Sequence, residues 1–206
     1  MAYPHSKPET IADGAVHVAG LLFSLPATAI LMMMANGWLT TMAVAVYGIC
    51  MIAAFGASAL YHLSPVDRTR PLLNRIDHAA IYFKIAGTYT PLVVVIGSGF
   101  AYGILGVVWA LALIGAVAKL RGWSTHARGS LALYLLMGWL SVLLVKPMWQ
   151  TLSGTAIELI VAGGLIYSFG TVIYARERLR FQNAIWHGFV LVASVCFFAA
   201  IAISLG

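Results

Sequence analysis

WLTTMAVAVYGICMIAAFGASALYHLS, residues 38–64, runs from Trp38 to Tyr61 without a charged side chain and closes on a histidine. An α-helix rises 1.5 Å per residue, so about 20 such residues cross a hydrocarbon layer of ~30 Å. The stretch predicts a transmembrane helix. Near its end, Ser58 and His62 stand four residues apart, which places them on one helical face, one turn from each other.

The rest of the chain repeats this pattern. Hydrophobic residues make up 62% of the 206 positions and charged residues only 9%, against roughly 25% charge in soluble domains. The apolar residues form seven blocks, at about 14–35, 38–62, 76–97, 100–120, 130–147, 155–175 and 184–205. The fifth is the shortest. Turn-forming residues separate the blocks: Asn36-Gly37, Ser64-Pro65 through Pro71, Gly97-Ser98-Gly99, Arg121-Gly122 and Gly154. The prediction is an all-α, seven-span membrane bundle forming one domain over residues 1–206, with residues 1–13 as a short polar tail. No internal repeat or low-complexity linker interrupts it. The first apolar block is too long for the core of a cleaved signal peptide.

Charge orients the bundle. Lys7, Arg68, Arg70, Arg75, Lys119, Arg121, Arg128, Arg176, Arg178 and Arg180 all fall on one side of a seven-span chain, ten of its twelve basic residues. The positive-inside rule places that side, with the N-terminus, in the cytoplasm and Gly206 outside. The net charge of +6 is then read as a surface for anionic lipid headgroups rather than for nucleic acid. G-protein-coupled receptors run the other way. A retinal protein needs a lysine in its last span, and residues 184–206 contain none.

The same orientation gathers polar residues into one layer at the cytoplasmic ends of the spans: Asp13, His17, Ser58, His62, Asp77, His78, Asn183 and His187. Ionisable groups in or near spans are costly and usually face the bundle interior for a functional reason. Histidines with a carboxylate and a nearby hydroxyl are what a zinc site is assembled from, with one coordination position left open. Zinc lowers the pKa of water in that position toward ~7. Elsewhere, Lys84 lies seven residues after Asp77 on the same face of span three, either in a buried charge relation with it or snorkelling to the surface. Cys50 and Cys196 read as small packing residues, and Pro91 should bend span three.

SALYHLSPVDRTRPLLNRIDHAAIYFKIAGTYTP, residues 58–91, resembles the hemolysin III family, the bacterial branch of the progestin and adipoQ receptors. PETIADGAVHVAG resembles the family's first-span opening and AIWHGFVLVAS its last span, so the likeness covers about residues 9–200. It implies a multi-pass protein of the bacterial plasma membrane, with a zinc ion near the cytoplasmic face and membrane lipid as its partner. By that resemblance His62 is one zinc ligand and His187 another, while Ser58 and Asp77 stand beside the metal-held water as catalytic residues. In the receptor branch, a second histidine four residues before the one matched by His187 completes the site. Here that position is Asn183, a poor zinc ligand. Asp77 is the preferred substitute, followed by His17, with His78 also within reach and Asp13 nearby. The activity expected is zinc-dependent hydrolysis of a lipid amide or ester. The alternatives are a non-enzymatic membrane-homeostasis or lipid-sensing role and, third, a pore-forming cytolysin.

Overall fold

The computed structural model describes residues 6–122, 127–176 and 179–206. Arg178 of the last basic loop lies outside them. Among the described residues, eight α-helices follow one another: α1 (Lys7–Met34), α2 (Trp38–Leu63), α3 (Arg70–Ile96), α4 (Gly99–Leu120), α5 (Ala127–Trp139), α6 (Val145–Thr151), α7 (Gly154–Tyr174) and α8 (Gln182–Leu205). Among the described residues there is no strand, and seven helical segments are long and apolar enough to cross a membrane. The fifth is composite, running from Gly129 to Thr151. Its α5 and α6 are joined by a 3₁₀ segment, Leu140–Leu144. Pro147 explains the break, since a proline ring displaces the carbonyl four residues earlier and lacks an N–H of its own. Carbonyls at the end of α5 are received from outside the helix: Tyr89 Oη lies 2.8 Å from Met137 O and 2.7 Å from Gly138 O.

One boundary differs in a way that matters. The apolar pattern begins at residue 14, but α1 begins at Lys7. Ser6 and Glu9 account for the difference: the Glu9 carboxylate accepts from Ser6 N at 2.9 Å and from Ser6 Oγ at 2.6 Å, with Pro8 in the first turn. A capping pair followed by proline starts a helix whatever the polarity of the next residues. Residues 7–13 are therefore helical rather than a tail, and Asp13 is carried on α1 one turn before His17.

Consecutive helices pack as neighbours, and α1 also packs on α8, which closes the bundle around α3. At the rim, Glu9 Oε1 accepts from the backbone N–H of Phe181 at 3.1 Å, tying the start of α1 to the start of α8. Lipid tails are as apolar as leucine, so helices here associate through close packing and hydrogen bonds rather than by removing apolar surface from water. Helix α1 illustrates this. Its buried positions are Asp13, His17, Gly20, Ser24, Ala27 and Leu31, all but the last small or polar and spaced by three or four, whereas Val18, Leu22, Leu25 and Met33 are exposed.

Gly20 sets how near α1 comes to α2. A Cβ built on it would lie 2.5 Å from the Phe55 ring, well inside contact distance. Without that approach His17, one turn back on α1, would stand away from Ser58 and His62 on α2. Overpacking a buried contact costs about 1–3 kcal/mol, whereas Ala for Gly in a helix gains roughly 0.5–1 kcal/mol. Gly20→Ala should therefore lower the unfolding midpoint of the detergent-solubilised protein. Gly56→Ala, which meets nothing within 4 Å, should raise it or leave it unchanged. Equal shifts in thermal scans would show that the α1–α2 contact is loose.

Candidate metal centre

Three imidazoles from three helices meet inside the bundle: His17 of α1, His62 of α2 and His187 of α8. All are buried, and one nitrogen from each lies within 4.8 Å of those of the other two. The ring centroids of His17 stand 4.3 Å from those of His187 and 5.2 Å from those of His62. Three buried rings this close need a reason to stay together.

Residue 13 supplies it. His187 Nδ1 lies 2.8 Å from Asp13 Oδ1, and His62 Nδ1 lies 3.1 Å from Asp13 Oδ2. His17 Nδ1 lies 2.8 Å from the backbone carbonyl of the same aspartate. Carboxylate and carbonyl oxygens accept and do not donate, so each Nδ1 carries the proton and each Nε2 keeps its lone pair. One residue thus sets the tautomer of all three rings. A metal-binding histidine ordinarily gives its second ring nitrogen to a carboxylate or carbonyl in this way.

Ser58 meets two of these Nε2 atoms. Its Oγ is 3.0 Å from His17 Nε2 and 3.2 Å from His187 Nε2, the two contacts sharing one hydroxyl proton. Asp77 of α3 stands at the edge, with Oδ2 4.0 Å from His62 Nε2 and 3.8 Å from His78 Nδ1. The third place in the cluster, for which the sequence favoured Asp77 over His17, is occupied by the His17 imidazole, and Asp77 flanks the group. His78 faces elsewhere: its Nδ1 lies 2.8 Å from Asn74 O and its Nε2 3.3 Å from the Tyr174 hydroxyl. Asn183 is buried one turn before His187 and lines the same cavity. Asp13 orients rings, a role that sequence reasoning missed. Its signal was the spacing of four between Asp13 and His17, the same as between Ser58 and His62.

The donor set fits a divalent metal of zinc type. Three neutral imidazoles with their outer nitrogens already bonded, plus one open face, is an arrangement zinc adopts in catalytic sites, at about 2.0–2.1 Å per nitrogen. The open face gives onto a cavity of about 280 Å³ reaching from Ser58 and Asp77 past Lys84 and Tyr167 to Leu144, Met148 and Ile160. Its walls are overwhelmingly apolar. The imidazoles, Ser58 and Asp77 lie together at one end.

A family model described as Haemolysin-III related matches residues 6–198. The chain belongs to that family. It is 37% identical over 195 residues to the Hemolysin-3 homolog of Bacillus subtilis (strain 168), covering 92% of this chain and 91% of the relative. It is 36% identical over 194 residues to Hemolysin-3 of Bacillus cereus, covering 92% and 89%. As a haemolysin-III chain with seven apolar helices it is a multi-pass membrane protein. Every residue of the cluster, from Asp13 to His187, falls inside the matched region.

The geometry makes a direct statement about protons. In nitrogen-15 spectra of histidine-labelled protein stripped of metal, His17, His62 and His187 should all show the Nδ1–H tautomer. Asp13→Ala leaves two buried ring N–H groups without their acceptor, at a cost of about 1–3 kcal/mol each. The Nδ1–H pattern of His62 and His187 should then mix with the other tautomer and the unfolding midpoint should fall. Unchanged ring signals in Asp13→Ala would show that the carboxylate does not orient them.

Proposed function

We propose that this protein is a zinc-dependent membrane hydrolase acting on a lipid amide or ester, built as one membrane domain with its N-terminus in the cytoplasm. The observation that carries the reading is the meeting of three buried imidazoles at the edge of a largely apolar cavity, with the Ser58 hydroxyl at two of their Nε2 atoms and the Asp77 carboxylate beside the third. His17, His62 and His187 would hold the metal. Zinc supplies Lewis acidity and a nucleophile at neutral pH.

The chain's own residues supply the rest. Asp13 fixes the proton of each neutral imidazole on Nδ1, which leaves the Nε2 lone pair to bind a metal. Asp77 sits near enough to His62 Nε2, at 4.0 Å, to accept a proton from a nucleophile formed on the open side. Ser58 loses its two imidazole acceptors when their lone pairs are engaged, so its hydroxyl becomes available to donate to the oxyanion of a tetrahedral intermediate. The apolar walls receive an acyl chain and exclude water, and substrate reaches them sideways from the lipid.

A second reading has its own support. The three histidines come from α1, α2 and α8, so a metal there would tie the first, second and last helices. Such a brace suits a membrane-homeostasis or lipid-sensing protein without turnover.

Metal analysis separates the ligand sets. Protein purified without chelator should carry one zinc per chain, and His17→Ala, His62→Ala and His187→Ala should each lose most of it. Asp77→Ala should keep the metal and lose hydrolysis of a long-chain ceramide. Metal loss in Asp77→Ala with retention in His17→Ala would transfer the third ligand to Asp77. Stoichiometric zinc with no hydrolysis of lipid amides or esters would favour the brace. Orientation is tested by reporter fusions at Gly206, which should be active only outside the cytoplasm.

A further inference from the structure

The basic residues are not alike in their surroundings. Lys84 is buried inside the bundle, with Nζ 4.2 Å from the centroid of Phe55 and 5.6 Å from that of Tyr167, so it does not reach the surface. Lys146 belongs to α6, at the opposite end of the bundle. Arg70 is held within the protein: its Nε donates to Asp67 Oδ1 at 3.0 Å and its Nη2 to Ser64 O at 3.0 Å. Lys7, Arg68, Arg176 and Arg178 each have an acidic residue within two positions along the chain. Arg180 lies over the Phe181 ring, 5.0 Å from its centroid.

Arg75 near the start of α3, with Lys119 and Arg121 at the end of α4, has none of this. No acidic residue occurs in the chain between Asp77 and Glu158. Among the described residues, none of the three has a carboxylate within 4.0 Å. Gly122 brings them together. It turns the chain after α4 with φ 75, and its N–H donates to Lys119 O at 3.0 Å. Glycine takes that left-handed conformation without strain. A Cβ built on Gly122 would stand 3.0 Å from Arg75 Nη2 and 3.1 Å from its Cζ. The Arg75 guanidinium therefore lies against the turn that carries Arg121. Cations from two helices meet at one point without an acid between them, a field that draws in an anion. A guanidinium presents the donor fork that matches phosphate oxygens.

The surface below these charges is apolar. Leu72 and Ile76 on α3 are exposed, as are Leu113, Val117 and Leu120 on α4. Val117 is one turn before Arg121 and Leu113 two, so a stripe of hydrocarbon leads up to the cation on the same helical face. Charge above hydrocarbon is the complement of one kind of molecule, an anionic phospholipid.

We propose that the α3–α4 edge is a binding site for an anionic glycerophospholipid, with the headgroup phosphate on Arg75, Lys119 and Arg121 and the acyl chains along Leu113, Val117 and Leu72. The assignment goes beyond the hydrolase reading and uses neither the metal nor the cavity.

The test is native mass spectrometry of the full chain, released from detergent containing equal amounts of dioleoyl phosphatidylglycerol and dioleoyl phosphatidylcholine. Wild type should retain one phosphatidylglycerol in preference to phosphatidylcholine by at least about fivefold, the effect of roughly one basic residue at a membrane surface. Arg75→Gln with Arg121→Gln should abolish the preference. Arg68→Gln with Arg176→Gln makes the same charge change at exposed positions elsewhere on that side and should leave it intact. No preference in wild type, or equal losses in the two double variants, would overturn the proposal, the second by showing a diffuse effect of charge. Excess inorganic phosphate should leave the lipid bound. Displacement of phosphatidylglycerol by phosphate would assign the cluster to a free anion, and the lipid site would fail. Thermal scans guard against misfolding: without lipid, the Arg75/Arg121 variant should unfold at the wild-type midpoint, and phosphatidylglycerol should raise the midpoint of wild type and not of that variant. A lower lipid-free midpoint would mean that these arginines have their partner within the protein, which also overturns the assignment.

Discussion

The contacts of Asp13 are the constraint on which the rest of this structure depends. Its two carboxylate oxygens and its backbone carbonyl receive the Nδ1 protons of three histidines on three helices. A carboxylate taken out of water is stable only when its oxygens are well bonded, and an imidazole N–H buried without an acceptor is similarly costly. Each group meets the other's need. The arrangement also demands that α1, α2 and α8 approach one another at one depth, which explains why small residues line the inward stripe of α1 and why Gly20 faces Phe55. Packing and chemistry are set by the same contacts.

The fold was readable because a bilayer allows few solutions. Backbone groups in hydrocarbon must be bonded internally, so long apolar blocks become helices and their number gives the number of spans. What escaped was local. The start of α1 depended on Ser6, Pro8 and Glu9, whose capping chemistry is independent of the apolar pattern, and so residues 7–13 read as a tail. The break in span five depended on Pro147, which the apolar pattern does not weigh.

The site was legible as a layer but not as a wiring diagram. One-sided helix ends predict one layer of Asp13, His17, Ser58, His62, Asp77, His78, Asn183 and His187, and all of these but His78 are buried. Depth does not give rotation about each helix axis. That angle is decided by side-chain packing, and it separates His17, which enters the cluster, from His78, which turns to Tyr174. Lys84 shows the same limit. Its seven-residue spacing from Asp77 fixes a shared face, yet the aromatic surroundings of Nζ are contributed by α2 and α7, helices that no spacing on α3 can specify.

Asn183 bears on why three helices and not two build the cluster. Two histidines one turn apart on α8 would present both rings from one rigid element, and a centre formed with His62 would join only α2 and α8. With asparagine at 183, the third imidazole comes from α1, and the cluster spans the contact at which the bundle closes. That contact has other supports. Phe181, just before α8, adopts a left-handed backbone with φ 59, the only non-glycine positive φ among the described residues. Such a conformation costs roughly 1–2 kcal/mol, and its N–H is held by Glu9. Glu9 at the rim and Asp13 one turn deeper both reach from α1 to α8, so the residues that start α1 and those that orient the imidazoles act on one interface. With its third imidazole on α1 rather than α8, the cluster's geometry depends on how the first and last helices dock.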